Sequence, residues 1–86
     1  MLKEIKFSKH ALKRADDRGV SLDEASEVIL TSKWNDTDHQ RHVASKIFEY
    51  NKTWGNKIYR QKDVIVVFKE EDDKITVITV IARYFL

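Results

Sequence analysis

The 86-residue sequence has no cysteine, no proline and only two glycines. The absence of cysteine excludes disulfides, thiolate metal sites and a thiol nucleophile. No segment approaches the roughly 18 consecutive apolar residues of a membrane-spanning helix, and the basic N-terminus lacks the apolar stretch of a signal peptide. We therefore expect a cytoplasmic protein with no membrane association. A chain of this length is expected to form a single domain, residues 1–86.

Recognisable cofactor and metal motifs are also missing. There is no G-x-x-x-x-G-K-[ST] loop and no glycine-rich dinucleotide loop, so we expect no nucleotide or redox cofactor. His39 and His42 have the spacing H-x-x-H beside Asp36 and Asp38. A metal site needs at least a third defined ligand, which this pattern does not specify, and we expect no metal.

Basic side chains are concentrated in two zones, although the formal net charge is only +2. The first zone, from Lys3 to Arg14, contains five basic residues and one acid; the second, from Arg41 to Lys62, contains six and one. Most of the acids lie elsewhere, in residues 16–17, 23–24 and 70–73. This distribution suits a polyanionic partner, although charges that serve only solubility would give a similar pattern.

The N-terminal half predicts a short strand followed by two helices. The strand covers Lys3 to Phe7. Ser8 is a typical N-cap for a helix from Lys9 to Arg18, which should stop at Gly19 because glycine tolerates the left-handed conformation. Within that helix the inward residues are expected to be Ala11, Leu12 and Ala15. Ser21 and Glu24 form a capping box for a second helix that should end between residues 31 and 33.

The C-terminal half predicts antiparallel strands. Residues 38–54 are ambiguous, because helical spacing of apolar residues competes with a β-branched and aromatic composition that favours a strand over Lys46 to Asn51. A hairpin turn is expected at residues 54–56, then strands over 57–62, 64–69 and 74–84. The last two are apolar on both faces and should be central. The fold class is therefore α+β: β-α-α followed by a three- to four-stranded antiparallel sheet, with the helices on one face.

The first helix carries a candidate catalytic stripe. His10, Arg14 and Arg18 are spaced i, i+4 and i+8, which places them on one side of the helix. A histidine can act as a general base near neutral pH, and arginines can hold a phosphate through paired hydrogen bonds. The alternative is a solvated helix face on which the arginines pair locally with Asp17 or Asp23.

The predicted sheet offers further candidates. Thr79 interrupts an apolar run, although threonine is common in strands for packing reasons alone. The basic segment containing Tyr59, Arg60 and Lys62 combines cations with an aromatic ring, a mixture that stacks bases and neutralises phosphates. A charged edge strand would look the same. Arg83 and Tyr84, at the end of the last strand, are candidates by location.

The segment F-S-K-H-A-L-K-R over residues 7–14, followed by D-R-G-V-S over 17–21, resembles a family of small, uncharacterised prokaryotic domains. Their signature is S-x-H-A-x-x-R…R-G-[IV]-S, followed by an acidic helix and a closing hairpin. These domains are similar to the superfamily of metal-independent RNases that includes RelE-type toxins, barnase and colicin RNases. The resemblance implies a RelE-like fold, and its matching positions here are His10, Arg14, Arg18 and Thr79.

The function that the resemblance implies is a metal-independent endoribonuclease, the toxin of a toxin–antitoxin pair. Its partners would be RNA, including ribosome-associated mRNA, and a small antitoxin, with the chain a monomer or homodimer. Cleavage needs a base for the 2′-hydroxyl proton, cations for the phosphorane and an acid for the leaving 5′-oxygen. We assign the base to His10 and the acid to Tyr84 or Tyr59. The cations are Arg14, Arg18 and Arg60. The alternative is a non-catalytic RNA- or protein-binding module on the same fold.

Overall fold

The computed structural model describes residues 4–86, apart from the side chain of Asp38, and has an α+β architecture with two helices and a five-stranded mixed sheet. In chain order the elements are β1 (Glu4–Phe7), α1 (Lys9–Asp17), α2 (Leu22–Thr31), β2 (Asn35–Asp36), a 3-10 turn (Asp38–Gln40), β3 (His42–Trp54), β4 (Lys57–Glu71) and β5 (Lys74–Phe85). The predicted start of the first strand at Lys3 lies outside the described residues. Neither α1 nor α2 is long and apolar enough to cross a membrane.

Local capping chemistry defines both ends of α1. The Ser8 hydroxyl accepts a hydrogen bond from the Ala11 N–H at 3.0 Å, which confirms the predicted N-cap. At the other end Arg18 is the C-cap and Gly19 has φ +70°, the left-handed conformation that glycine allows. The Val20 N–H then donates to the Ala15 carbonyl at 2.8 Å, and the chain turns back toward the core.

The second helix begins at the predicted capping box. The Ser21 hydroxyl accepts from the Glu24 N–H at 3.0 Å, and the Glu24 carboxylate accepts from the Ser21 N–H at 2.9 Å. The helix ends at Thr31, as expected. The expectation that Leu12 of α1 faces inward is wrong: its side chain is 43% exposed, because the buried stripe of α1 is limited to Ala11 and Ala15.

The sheet has the strand order β1-β5-β4-β3-β2. β1 runs parallel to β5, whereas the other neighbours are antiparallel. Four antiparallel strands follow the two helices, within the predicted three or four. The sheet as a whole has five strands and is mixed, because β1 joins it parallel to β5. The prediction that the last two strands lie inside the sheet is confirmed, since β4 and β5 each have a neighbour on both sides.

The strands are longer than predicted, and the two strands expected over residues 57–62 and 64–69 are one continuous strand, β4. β4 runs from Lys57 to Glu71 without a break, and β3 extends from His42 to Trp54. The helical alternative for residues 38–54 is wrong. β3 contains a bulge between Glu49 and Lys52, where its pairing with β4 shifts register and Asn51 has a positive φ of 52°. The hairpin turn that joins these strands lies where it was predicted.

The core lies on one face of the sheet, which we call the covered face. Alternate residues of the central strands point to this face and are buried with the apolar residues of both helices; the members of this cluster are Ala11, Ala15, Val20, Ala25, Val28, Ile29, Ala44, Val64, Val66, Phe68, Ile75, Val77 and Val80. Because side chains alternate along a strand, the intervening residues point to the opposite face. The chain thus presents two chemically distinct sheet surfaces.

Candidate functional site

A surface pocket of about 290 Å³ lies where the C-terminal half of α1 meets the ends of β3 and β5. Its lining residues are Arg14, Asp17, Arg18, Trp54, Ala82 and Tyr84. Arg14 and Arg18 flank the buried stripe of Ala11 and Ala15 and are half-buried. Ala82 and Tyr84 lie near the C-terminal end of β5. The pocket therefore combines two guanidinium groups, one carboxylate and two large aromatic rings.

The two arginines of the pocket are free of ion pairs. Neither Arg14 nor Arg18 lies within 4.0 Å of a carboxylate oxygen among residues 4–86, so the local pairing with Asp17 or Asp23 is not formed. In addition, Nε of Arg18 is buried and has no hydrogen-bond partner in the part of the chain that the structure describes. A buried donor without an acceptor costs roughly 1–3 kcal/mol, which an incoming anion would offset.

Four aromatic rings meet beside the arginines, and we call Tyr50, Trp54, Tyr59 and Tyr84 the aromatic cluster. Tyr84 is its centre: the Trp54 ring stacks on it at 4.8 Å between centroids and 13° between planes. The rings of Tyr50 and Tyr59 contact Tyr84 at centroid distances of 5.2 and 5.7 Å. The bulge in β3 and the twist of the hairpin bring these side chains together from three strands.

The aromatic cluster is hydrogen-bonded to the C-terminal end of α1. The hydroxyl of Tyr84 donates a short hydrogen bond to the carbonyl of Arg18. Burial, together with the nearby Tyr50 and Glu24, raises the pKa of Tyr84 to about 12. The phenol therefore stays protonated at physiological pH and acts as a donor to a helix carbonyl that lacks a partner within the helix.

A buried lysine, Lys62, forms hydrogen bonds with the turn between α1 and α2 and with the first turn of α2. Nζ of Lys62 donates to the Gly19 carbonyl at 3.0 Å and to Oε1 of Glu24 at 2.8 Å, and it lies 5.2 Å from the centroid of the Tyr50 ring. Burial raises the pKa of Glu24, but the hydrogen bonds from Lys62 and Ser21 outweigh that effect, and the pKa lies below its ordinary value. Lys62 and Tyr84 thus donate hydrogen bonds to the carbonyl groups of Gly19 and Arg18, which follow the last turn of α1.

The structure brings together part of the predicted site. Arg14, Arg18 and Tyr84 line one pocket, and Tyr59 contacts Tyr84 in the aromatic cluster. His10 is exposed on α1 one turn before Arg14, and it is not among the lining residues. His10 therefore belongs to the predicted stripe of α1 but lies outside the pocket.

Other predicted residues lie elsewhere. Thr79 and Arg83 alternate with Val80 and Ala82 along β5 and so belong to the opposite face of the sheet. Arg60 is exposed and lines a different pocket of about 330 Å³, together with Glu49, Asn51, Gln61 and Leu86.

The expectation that Lys62 contacts RNA does not fit its position. The residue is only 3% exposed, and its ammonium group is already bonded to Gly19 and Glu24. The sequence does not predict this burial, because a lysine in a basic segment ordinarily faces solvent. Its inward direction follows from the pleat: Lys62 shares its face with Val64 and Val66.

Sequence reasoning missed Trp54 as a site residue. A signal was present, because a tryptophan directly before the glycine of a hairpin turn is a large apolar ring where polar residues are usual. Its partner at the other end of the contact, Gly19, lies 35 positions away in the sequence, and only the folded chain shows the juxtaposition.

His39 and His42 lie on either side of the end of the 3-10 turn. Among the described side chains, which do not include that of Asp38, no group of three His, Cys, Asp or Glu is arranged to hold a metal ion. Nδ1 of His42 lies 2.8 Å from Oδ1 of Asp36, and its ring packs against Trp34 and Phe68. This histidine serves to connect β2, β3 and the core.

A comparison with known families identifies the family of the chain. Residues 7–82 match the family described as Domain of unknown function (DUF4258). The chain belongs to the DUF4258 family. No curated protein and no solved structure shows significant similarity to the chain. The matched range runs from the residue before the Ser8 cap to Ala82, so the DUF4258 region includes Arg14, Arg18 and Trp54 of the pocket and stops two residues before Tyr84.

Proposed function

We propose that this DUF4258 chain is a metal-independent endoribonuclease that binds RNA in the pocket between Arg14, Arg18 and the aromatic cluster. The observation that carries the proposal is the state of the two arginines. They are cationic, and among the described side chains neither has a carboxylate partner and Nε of Arg18 is a buried donor without an acceptor. A phosphate oxygen is an acceptor of suitable charge, and arginine binds phosphate through paired hydrogen bonds.

The aromatic rings favour RNA over a simple inorganic anion. Trp54 is half-buried, with one face stacked on Tyr84, and it stands at the wall of the pocket. Bases of single-stranded RNA stack on such rings while cations hold the backbone, and each stacked base contributes about 1–3 kcal/mol. The combination of a ring and two guanidinium groups therefore fits one nucleotide and its phosphate.

Cleavage at this pocket would proceed through attack of the 2′-oxygen on the adjacent phosphorus. The 2′-hydroxyl loses its proton to a base, the new P–O bond forms a cyclic phosphate, and the 5′-oxygen leaves with a proton from an acid. His10, one turn from Arg14, is proposed as the base, and the arginines stabilise the charge on the phosphorane. The Tyr84 hydroxyl is already engaged in a hydrogen bond to the Arg18 carbonyl. The acid is therefore proposed to be Tyr59, whose hydroxyl has no hydrogen-bond partner in the described part of the chain.

The wider assignment follows the family resemblance of residues 7–21. The order of one strand, two helices and then antiparallel strands supports a RelE-like fold. On that basis we propose that the chain is the cytoplasmic toxin of a toxin–antitoxin pair, neutralised by a small antitoxin protein. Its RNA target would include mRNA on the ribosome. Growth arrest on induced expression, relieved by a partner gene, is the expected cellular result.

A cleavage assay tests the catalytic part of the proposal. The purified chain should cut single-stranded RNA equally well with and without a chelator. His10→Ala should lower the rate by about 10²–10⁴-fold, as expected for loss of a general base. His39→Ala is the matched control, because His39 is an exposed histidine outside the pocket, and its rate should equal that of the wild type. A wild-type chain that leaves RNA intact, or a fully active His10→Ala variant, would contradict the nuclease.

One observation favours a second candidate, the non-catalytic RNA-binding module. His10 does not line the pocket, whereas the binding elements, Arg14, Arg18 and Trp54, all do. In that case RNA would bind with the same dependence on Arg14 but would be recovered uncut. The cleavage and binding assays on the same RNA therefore separate the two functions.

A further inference from the structure

Two residues that the proposed function leaves unused, Thr79 and Arg83, share a surface on the opposite face of the sheet. Their neighbours there are fixed by the strand register. Asp63 pairs with Arg83, Ile65 with Ile81, and Val67 with Thr79 across β4 and β5. On β3 the neighbouring residues are Val43, Ser45 and Ile47. We call these nine residues the opposite-face patch.

The opposite-face patch is largely apolar and has no described cover. The buried residues of both helices belong to the core cluster on the covered face. On the patch, Ile65, Val67 and Ile81 are only half-buried, and Ile47 is 58% exposed. A sheet with both faces apolar is usually covered on both sides, and contiguous exposed apolar surface typically marks an interaction site.

The charges of the patch indicate what covers it. Asp63 and Arg83 are cross-strand neighbours at one end of the opposite-face patch. Neither side chain is in an ion pair within 4.0 Å among residues 4–86. A patch that carries one acid and one base in adjacent strands is complementary to itself, because a two-fold axis exchanges the two strands.

We propose that the opposite-face patch is a homodimer interface in which two copies of the chain pack sheet against sheet. The two-fold axis lies between β4 and β5, parallel to the strands. It places Asp63 over Arg83 of the second copy, Ile65 over Ile81, and Val67 over Thr79. Sheets packed in this way lie about 10 Å apart and are rotated by about 30°, a separation that these side chains span.

The register supports this arrangement row by row. Asp63 faces the oppositely charged Arg83 of the second copy, Ile65 faces Ile81, and the short Thr79 faces Val67. An axis centred on β4 instead would put Asp63 over its own copy, which places like charges together and is unfavourable. The patch is small compared with stable interfaces, so we expect a dimer that dissociates on dilution.

Sedimentation velocity of the full chain tests this inference. At concentrations near 100 µM, as suits a small interface, the wild type should sediment at twice the 10.2 kDa chain mass, and it should become monomeric on dilution. Asp63→Arg and Arg83→Asp should each weaken dimerisation at least about tenfold, because each places like charges across the interface. The variant with both substitutions restores opposite charges and should dimerise again.

Two further variants separate the patch from exposed apolar surface in general. Ile65→Lys should abolish the dimer, whereas Leu30→Lys should not, since Leu30 is 52% exposed on α2 and lies outside the patch. Circular dichroism verifies that each variant is folded. Should Ile65→Lys fail to fold, the reversal at exposed Arg83 still decides the question. A wild type that is monomeric throughout, or a dimer that tolerates both single charge reversals, would overturn the proposal.

Discussion

Gly19 lies directly against the indole of Trp54. A methyl group on the Gly19 α-carbon would be 2.4 Å from Cζ3 of Trp54 and 2.9 Å from the Tyr84 hydroxyl oxygen. The same glycine has φ +70° and ends the first helix. It therefore serves two purposes at once: it turns the chain, and it lets the aromatic cluster pack against the end of α1. The wall of the arginine pocket depends on that contact.

Gly19→Ala should destabilise the protein more than Gly55→Ala. Both positions have φ near +70°, so each alanine suffers the left-handed strain of about 1–2 kcal/mol. Only Gly19 has a close neighbour, because nothing lies within 4 Å of a methyl group at Gly55. Overpacking against Trp54 should add roughly 1–3 kcal/mol to the loss in the free energy of unfolding. Equal urea midpoints for the two variants would show that the indole contact contributes nothing.

Tyr84→Phe should lower the free energy of unfolding at neutral pH by about 0.5–1.5 kcal/mol, since it removes the hydrogen bond to the Arg18 carbonyl. Tyr59→Phe is the matched control, because its hydroxyl has no partner within the described part of the chain, and we expect a change within about 0.5 kcal/mol. Urea unfolding of both variants measures the difference. A Tyr59→Phe variant that loses as much stability would argue against the hydrogen bond as the cause.

The raised pKa of Tyr84 also predicts how stability changes at alkaline pH. In the unfolded chain this phenol ionises near pH 10, whereas in the folded chain its pKa is about 12. The folded state thus holds the proton more tightly, and the contribution is complete below pH 10 and lost as pH rises toward 12. The stability difference between wild type and Tyr84→Phe should shrink across that window. A difference that stays constant from pH 9 to 12 would contradict this.

Lys62→Met should cost about 1–3 kcal/mol of stability, because the Gly19 carbonyl and the Glu24 carboxylate lose a buried donor. Lys57→Met removes the same charge from an exposed position and should change stability by no more than about 0.5 kcal/mol. The pKa of Glu24 is lowered in the folded state, so its contribution is present above its unfolded pKa and is lost as pH falls below that value. Lys62→Met should weaken that acid dependence, and urea midpoints from pH 3 to 7 measure it.

Features set by neighbouring residues could be predicted from the sequence. The Ser8 cap, the Ser21–Glu24 capping box and the Gly19 stop each depend on contacts within four residues, and all three appear in the structure. The α1 stripe was likewise predictable, because helical spacing alone places Arg14 and Arg18 together. The apolar runs of the last two strands indicated their central position.

Features set by distant contacts could not be predicted. The parallel pairing of β1 with β5 joins residues about 70 positions apart, and no local signal encodes it. Lys62 is buried because the strand pleat directs its side chain toward the end of α1. The basic segment around it instead predicts a side chain exposed to solvent. Thr79 and Tyr84 are both candidates in the sequence, and alternation along β5 places them on opposite faces of the sheet. Which of the two faces forms the pocket with α1 depends on the packing of α1, which brings Arg14 and Arg18 to Tyr84.

The central claim is that Arg14 and Arg18 bind an RNA phosphate, and the salt dependence of RNA affinity tests it most directly. The comparison is between Arg14→Ala and Lys13→Ala, which remove the same charge from adjacent positions of α1, one inside the pocket and one outside. Loss of one phosphate contact should make the slope of log affinity against log salt concentration shallower by about 0.7 for single-stranded RNA. We predict that change, with a weaker affinity, for Arg14→Ala and a near wild-type slope for Lys13→Ala. Equal effects of the two substitutions, or RNA binding that ignores salt, would contradict the account.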